Sequence, residues 1–262
     1  MQIRTIKRKF DFFRNYFLIK PTLFSEPKIK NASLSDFFFF ACREGRDTKI
    51  TIFNIYSQIN PDEPTDDKVK IFIFDYNGKL HKKLDFTLKF NEYREIIFSK
   101  YYISNFGSFF IFHSTKNALD LERKGSYPSE RGYVGYRNKN SIWNFVHGNR
   151  TCNYLAKNKI KTIMAHSLFE TIYTPQVNFD DTNFFKLIFN NPLNRKIKIN
   201  IKCFNLNNEM VLSVNEKIIS YGTKIISFKN KEIKYIKIYS RLIFCRPLIY
   251  KEYEKDFDIF HA

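Results

Sequence analysis

Phe74-Asp75-Tyr76-Asn77-Gly78-Lys79-Leu80 is the stretch whose reading decides the fold. Asn-Gly between alternating apolar residues is the strongest short-range signal for a β-hairpin, because its tight turn needs positive φ at the central residues. Val69, Ile71 and Ile73 recur at every second position in an apolar run before the turn, and Leu84 and Leu88 fall at even spacing after it. Alternate side chains of a strand point to opposite faces, so the pattern describes two antiparallel strands that each bury one face. Further strands are expected at Phe37 to Cys42, Lys49 to Tyr56, Arg94 to Phe98 and Gly107 to Phe112.

The same pattern recurs 130 residues later, where Phe204-Asn205-Leu206-Asn207-Asn208-Glu209-Met210 falls on the hairpin. Without a gap, Ile71 falls on Ile201, Ile73 on Cys203, Leu88 on Ile218 and Ile96 on Ile226. Shared parity matters, since a one-residue slip would turn every core side chain to solvent. The segment before the hairpin matches too, once the acidic turn Asn60 to Asp67 is shortened to Asn190-Asn191-Pro192-Leu193-Asn194. The resulting expectation is an all-β chain of two tandem antiparallel β-sandwich domains, Ig-like or jelly-roll-like, related by internal duplication, with about seven short strands each. The first would span 33–114 and the second 182–262, joined by an ordered linker at 115–181 that holds one strand or short helix at Lys159 to Phe169.

Residues 1–32 form a separate basic segment in this reading. Ile3, Ile6, Phe10, Phe13 and Phe17 recur at helical spacing, with Arg4, Lys7, Arg8, Lys9 and Arg14 mostly elsewhere on the wheel. That is a short amphipathic helix over 3–18, which docks on the protein's own core or lies on an anionic membrane surface. Arg14 interrupts the early apolar stretch and no apolar run approaches the ~18 residues of a membrane span, so the expected compartment is the cytoplasm.

The formal net charge of +18 has two readings. Basic surface binds phosphate by releasing counterions, which points to nucleic acid. Equally, the chain is crowded with Asn, Ile, Phe, Tyr and Lys, and cations such as Lys198, Lys202, Lys217 and Lys237 are spread along strands as a solvated face would have them. Cys42, Cys152, Cys203 and Cys245 show no metal-type spacing, and all four read as reduced thiols. The acidic turn lacks the spacing of a calcium loop, and no cofactor or metal is expected.

The linker carries the candidate chemistry. Between His113 and Asn149 lie four of the eight glycines and the single tryptophan, Trp143. Glu130-Arg131-Gly132-Tyr133-Val134-Gly135-Tyr136-Arg137 sets two tyrosines and two arginines around two glycines, and Val146-His147-Gly148-Asn149 follows. Arginines grip carboxylate or phosphate, aromatic rings stack on a sugar or base, and His147 with Glu130 would exchange protons. Arg131, Tyr133, Tyr136, Arg137, Trp143, His147 and Asn149 are therefore the candidate ligand-binding residues. The rival reading makes them an inter-domain junction with the rings buried.

No motif specifies a reaction: nucleophile elbow, phosphate-binding loop and dinucleotide fingerprint are all missing. The leading expectation is a non-catalytic binding or structural protein that recognises a carbohydrate, an anionic small molecule, a protein partner or a second copy of itself through the linker. One alternative is an enzyme acting on a sugar or sugar derivative with His147 and Glu130 as acid and base. Another is nucleic-acid binding through basic surface.

Overall fold

The computed structural model describes residues 33–262 apart from 44, 55, 58–60, 63, 102, 116–128, 131, 139–140, 150, 157, 163–165, 178, 180–183, 230–231, 243–244 and 254–255. The amphipathic segment 3–18 lies outside the described residues. Those residues divide into two compact units: 33–162 with Tyr221–Thr223, and 163–220 with 224–262.

The first unit opens with β1 (Leu34–Asp36), β2 (Phe38–Ala41), β3 (Arg46–Phe53) and β4 (Asp67–Asp75). It continues with β5 (Leu80–Leu88), β6 (Tyr93–Ile97), β7 (Phe106–Ser114) and β8 (Ser129–Glu130). β9 (Tyr133–Asn138), β10 (Asn144–His147), β11 (Thr151–Ala156) and β12 (Lys159–Thr162) complete it. These strands make three four-stranded sheets, ordered β2-β7-β4-β5, β10-β9-β3-β6 and β12-β11-β1-β8. The second unit has β13 (His166–Tyr173), β14 (Phe185–Asn190), β15 (Ile197–Phe204) and β16 (Met210–Ile218). It ends with β17 (Thr223–Phe228), β18 (Tyr235–Leu242), β19 (Leu248–Glu252) and β20 (Phe257–His261). Its two sheets run β13-β18-β15-β16 and β17-β14-β19-β20, and Phe185, Leu187, Ile199, Ile201, Ile238 and Ile249 from both share one core.

The chain is all-β, as the alternation implies, but the arrangement corrects the expected pair of seven-stranded sandwiches: the described residues form five four-stranded sheets. The reason lies in 115–181. Its described residues are not a linker loop but supply β8 to β13, and β9 pairs antiparallel with β3 through Ile50↔Val134 and Lys49↔Gly135. Short strands rich in Tyr, Asn, Arg and Gly lack the apolar alternation that announces a strand, and only pairing with β3 or β1 makes them one.

The hairpin reading holds locally. β4 and β5 pair from Asp67↔Leu88 to Phe74↔Leu80, and the turn closes by Gly78 N–H donating to the Asp75 carbonyl, with φ of 69° at Gly78. Ile71, Ile73, Leu88, Ile96, Ile201, Cys203, Ile218 and Ile226 are all buried. β2 and β7 are buried on both faces, which explains their near-continuous Phe runs. Beyond the stretch where β7 pairs with β2, its N–H groups need other acceptors; Ile111 N–H donates to Ser35 Oγ at 2.8 Å and His113 N–H to Ser33 Oγ at 2.6 Å. Two serines therefore replace a backbone ladder where β1 lies over β7.

At the far end of β7, His113 Nδ1 lies 2.5 Å from Asp67 Oδ2, both side chains fully buried, and Ser114 N–H donates to Asp67 Oδ1 at 3.2 Å. Burial first, and then the Asp67 charge, push the nearby Tyr56 hydroxyl above the usual tyrosine range. Removing one partner of such a pair strands the other in a low-dielectric interior. His113→Ala is therefore expected to cost about 3–5 kcal/mol of stability in denaturant unfolding; a loss below about 1 kcal/mol would contradict the assignment.

Candidate functional site

Strand parity divides the linker residues into two sets. In β9, Val134 and Tyr136 face inward, whereas Tyr133, Gly135 and Arg137 face outward. Tyr136 is a core residue: its ring stacks on Phe39 at 5.9 Å, and its hydroxyl donates to the Phe39 carbonyl at 2.8 Å. Burial raises that hydroxyl above the ordinary tyrosine range. It does not join the other candidates.

The outward set converges. β10 pairs with β9 through Phe145↔Gly135 and His147↔Tyr133, so both partners lie on the same outer face. Tyr133 and His147 meet edge to face at 6.5 Å, and His147 Nδ1 is 2.7 Å from the Gly148 carbonyl oxygen. β3 adds Asp47 and Lys49 opposite Arg137 and Gly135. Trp143 sits under two cations, with the Arg137 guanidinium 4.5 Å and Lys49 Nζ 4.7 Å from its ring. Lys49 Nζ is also 5.6 Å from the Phe145 ring and 3.3 Å from Glu95 Oε2. Asp47, held by Ser99 Oγ at 2.8 Å, lies 3.9 Å from Arg137.

Gly135 is what lets these groups meet. A Cβ there would stand 2.8 Å from Phe145 Cε1 and 3.1 Å from both Lys49 Cγ and Trp143 Cε3. With only hydrogen at that position, two rings and a lysine stem close over bare backbone. The face stays open to solvent: Tyr133 is 64% and Phe145 53% exposed, and Phe53 and Tyr93, 5.4 Å apart at its other end, are 48% and 61% exposed. Large exposed aromatics gathered on one sheet face are an unusual use of apolar surface in a protein that could have buried them.

The remaining candidates stand apart. Asn149 is tied by its N–H to the Phe37 carbonyl at 3.0 Å. Glu130 lies on β8, paired with Ser35 of β1 in a different sheet from His147, and its side chain is outside the described residues, as is Arg131. The sequence reading missed Lys49, Asp47, Glu95, Phe53 and Tyr93, which reach the face from β3 and β6. Their signal was present as the odd-numbered positions of Asp47-Thr48-Lys49-Ile50-Thr51-Ile52-Phe53, opposite in parity to the buried Thr48, Ile50 and Ile52.

Among the described residues no group of His, Cys, Asp and Glu is placed to hold a metal ion. Cys42, Cys203 and Cys245 are free thiols, which burial pushes up to about 11, 12 and 12 respectively, so they are poor nucleophiles. No described helix is long and apolar enough to cross a membrane.

No protein-family model matches the sequence, and no curated protein matches it significantly. Among solved structures, the chain is similar to a Clostridium perfringens protein that contains a catalytic domain with two CBM51 domains, at 8% identity and a TM-score of 0.21, over 78% of this chain and 31% of that one. It is also similar to infectious bursal disease virus, Gx strain, at 9% identity and a TM-score of 0.17, over 85% of this chain and 55% of that one. The chain thus spans well under two thirds of either. Likenesses this slight bear on neither fold nor activity.

Proposed function

We propose that this is a non-catalytic binding protein that holds a carbohydrate on the outer face of the β10-β9-β3-β6 sheet. The observation that carries the reading is the closure of Trp143, Phe145 and Lys49 over Gly135 on an open surface. A sugar ring has apolar C–H faces and a rim of hydroxyls. Exposed aromatic rings accept the first, while Lys49, Arg137, Asp47 and Glu95 can donate to or accept from the second. The two cations also suit a carboxylate on an acidic sugar, Arg137 through its planar fork. The enzyme alternative has less support, because Glu130 and His147 belong to different sheets and His147 lies on an open face.

We infer also that the two units descend from one duplicated strand plan. Read end to end, β10-β9-β3-β6 corresponds to β20-β19-β14-β17, and β2-β7-β4-β5 to β13-β18-β15-β16. Both hairpins carry a bulge at the same place, Ile73/Phe74 and Cys203/Phe204. The support is sharpest in two buried amides. Asn54 Nδ2 donates to the carbonyls of Thr65, Leu88 and Lys89, and Asn191 Nδ2 to those of Arg195, Ile218 and Ile219. Each of the three acceptors is displaced by the same 130 residues that relate the hairpins. The third sheet, β12-β11-β1-β8, has no described counterpart in the second unit.

Asn54→Ala and Asn191→Ala should each cost about 1–3 kcal/mol in chemical unfolding, since each strands buried carbonyls; a cost at one site and none at the other would count against equivalent roles. For the binding face, a glycan array of neutral and acidic sugars followed by calorimetry should return ligands whose affinity falls about tenfold or more in Trp143→Ala and in Gly135→Ala, with melting temperatures little changed. Absence of any glycan ligand, or affinities untouched by both substitutions, would refute the reading.

A further inference from the structure

The second unit carries a differently built surface on the sheet β13-β18-β15-β16. The inward side chains of β15 and β18, among them Ile199, Ile201, Cys203, Ile236 and Ile238, fill the core. Parity then sends Lys198, Asn200, Lys202 and Phe204 of β15 outward, and register places Tyr239 opposite Asn200, Lys237 opposite Lys202 and Tyr235 opposite Phe204. β16 adds Lys217 opposite Lys198, with Asn215 and Ser213 following along the same face. Arg241 continues the row on β18, its Nε donating to the Ser167 carbonyl at 3.2 Å. Lysines that are scattered in the sequence thus gather on one face, because a strand collects every second residue. Five cations share this face, Lys198 and Lys202 on β15, Lys217 on β16, and Lys237 and Arg241 on β18.

Rings are interleaved with those cations. Phe204 and Tyr235 stack on each other at 4.9 Å and 7° as one paired aromatic unit, and Lys237 Nζ lies 5.2 Å from Phe204 and 5.8 Å from Tyr235. Lys202 Nζ lies 4.9 Å from Tyr239. Tyr235 is held by its hydroxyl to Asn208 Oδ1 at 2.8 Å. Solvated cations alone would bind any polyanion. Rings set between them along paired strands match a chain that alternates charge with flat π-faces at residue-scale intervals, which single-stranded nucleic acid does and a sulfated glycan does not. A duplex hides its base faces by stacking and offers this surface only phosphates.

We propose that the outer face of β13-β18-β15-β16 binds single-stranded nucleic acid without sequence preference, phosphates meeting Lys198, Lys202, Lys217, Lys237 and Arg241 while bases stack on Phe204, Tyr235 and Tyr239. This surface is separate from the carbohydrate face and does not depend on it.

Fluorescence anisotropy of the full chain with a labelled 15-nucleotide oligothymidylate tests the assignment. Log affinity should fall against log salt with a slope of about −3 to −4, at ~0.7 per phosphate contact for five cations. Lys202→Gln with Lys237→Gln should flatten that slope by about 1.4, whereas the same change at the exposed pair Lys159 and Lys161 on β12 should leave it unaltered. Tyr235→Ala should weaken binding about 5- to 100-fold, with Tyr235→Phe retaining it because the ring remains; the two melting curves report whether the fold is intact. Equal weakening by the β12 pair, unchanged binding in a folded Tyr235→Ala protein, or tighter binding of a sulfated polysaccharide of matched charge would each overturn the proposal.

Discussion

A single buried amide at the end of β3 sets where the first unit's sheets can lie. Asn54 is fully buried; its Nδ2 reaches the carbonyl of Thr65 ahead of β4 and those of Leu88 and Lys89 at the end of β5, while its N–H donates to Glu92 ahead of β6. β3 and β6 belong to one sheet, β4 and β5 to another. One side chain therefore clasps two sheets at a corner and fixes the position of β3 between them. An amide suits this task because it offers two donors and an acceptor in one plane, and burial makes any unmet carbonyl costly. Thr48, six residues earlier on the same strand, repeats the device: its hydroxyl donates to the Ala41 carbonyl and accepts from the Ala41 N–H.

With β3 held at both ends, its outward side chains have no freedom of face. Asp47 and Lys49 must lie under β9, and the register Lys49↔Gly135 puts the lysine stem where only glycine leaves room. Trp143 and Phe145 then close on it from β10 and the turn before it. The cation–π contacts are each worth about 0.5–1 kcal/mol at an exposed site, too little to account for leaving such rings in water. Core rings nearby, such as Phe98 and Phe109 at 4.6 Å, are completely buried. Tyr76, Phe169 and Tyr253 are exposed elsewhere, but Tyr133, Phe145, Phe53 and Tyr93 are gathered on the one sheet face.

Much of the fold was legible because β-structure writes itself in period two. The hairpin at Asp75 to Gly78, the strands around Ile71 and Leu88, and the buried set in both halves follow from parity alone. The strands β8 to β11 were not legible, since Tyr133-Val134-Gly135-Tyr136-Arg137-Asn138 is polar or small at most positions and becomes a strand by borrowing β3's hydrogen bonds. The candidate site was legible in part. Its aromatic and arginine content marked the right segment, and Tyr133, Arg137, Trp143 and His147 do lie on one face. Tyr136 was read with them because composition carries no parity; being one residue from Arg137 on a strand sends its ring to the core. Lys49 and Asp47, some 90 residues away in sequence, are joined to the segment only by sheet pairing.

Trp143 is the chain's only tryptophan, and it stands at the centre of the face to which binding is assigned. Its fluorescence therefore reports on that face and nowhere else. In a titration with a glycan whose binding has been established by calorimetry, the account predicts that Trp143 emission shifts or quenches along the same saturation curve as the heat. A saturating heat signal with Trp143 emission unchanged would place the ligand elsewhere and contradict it.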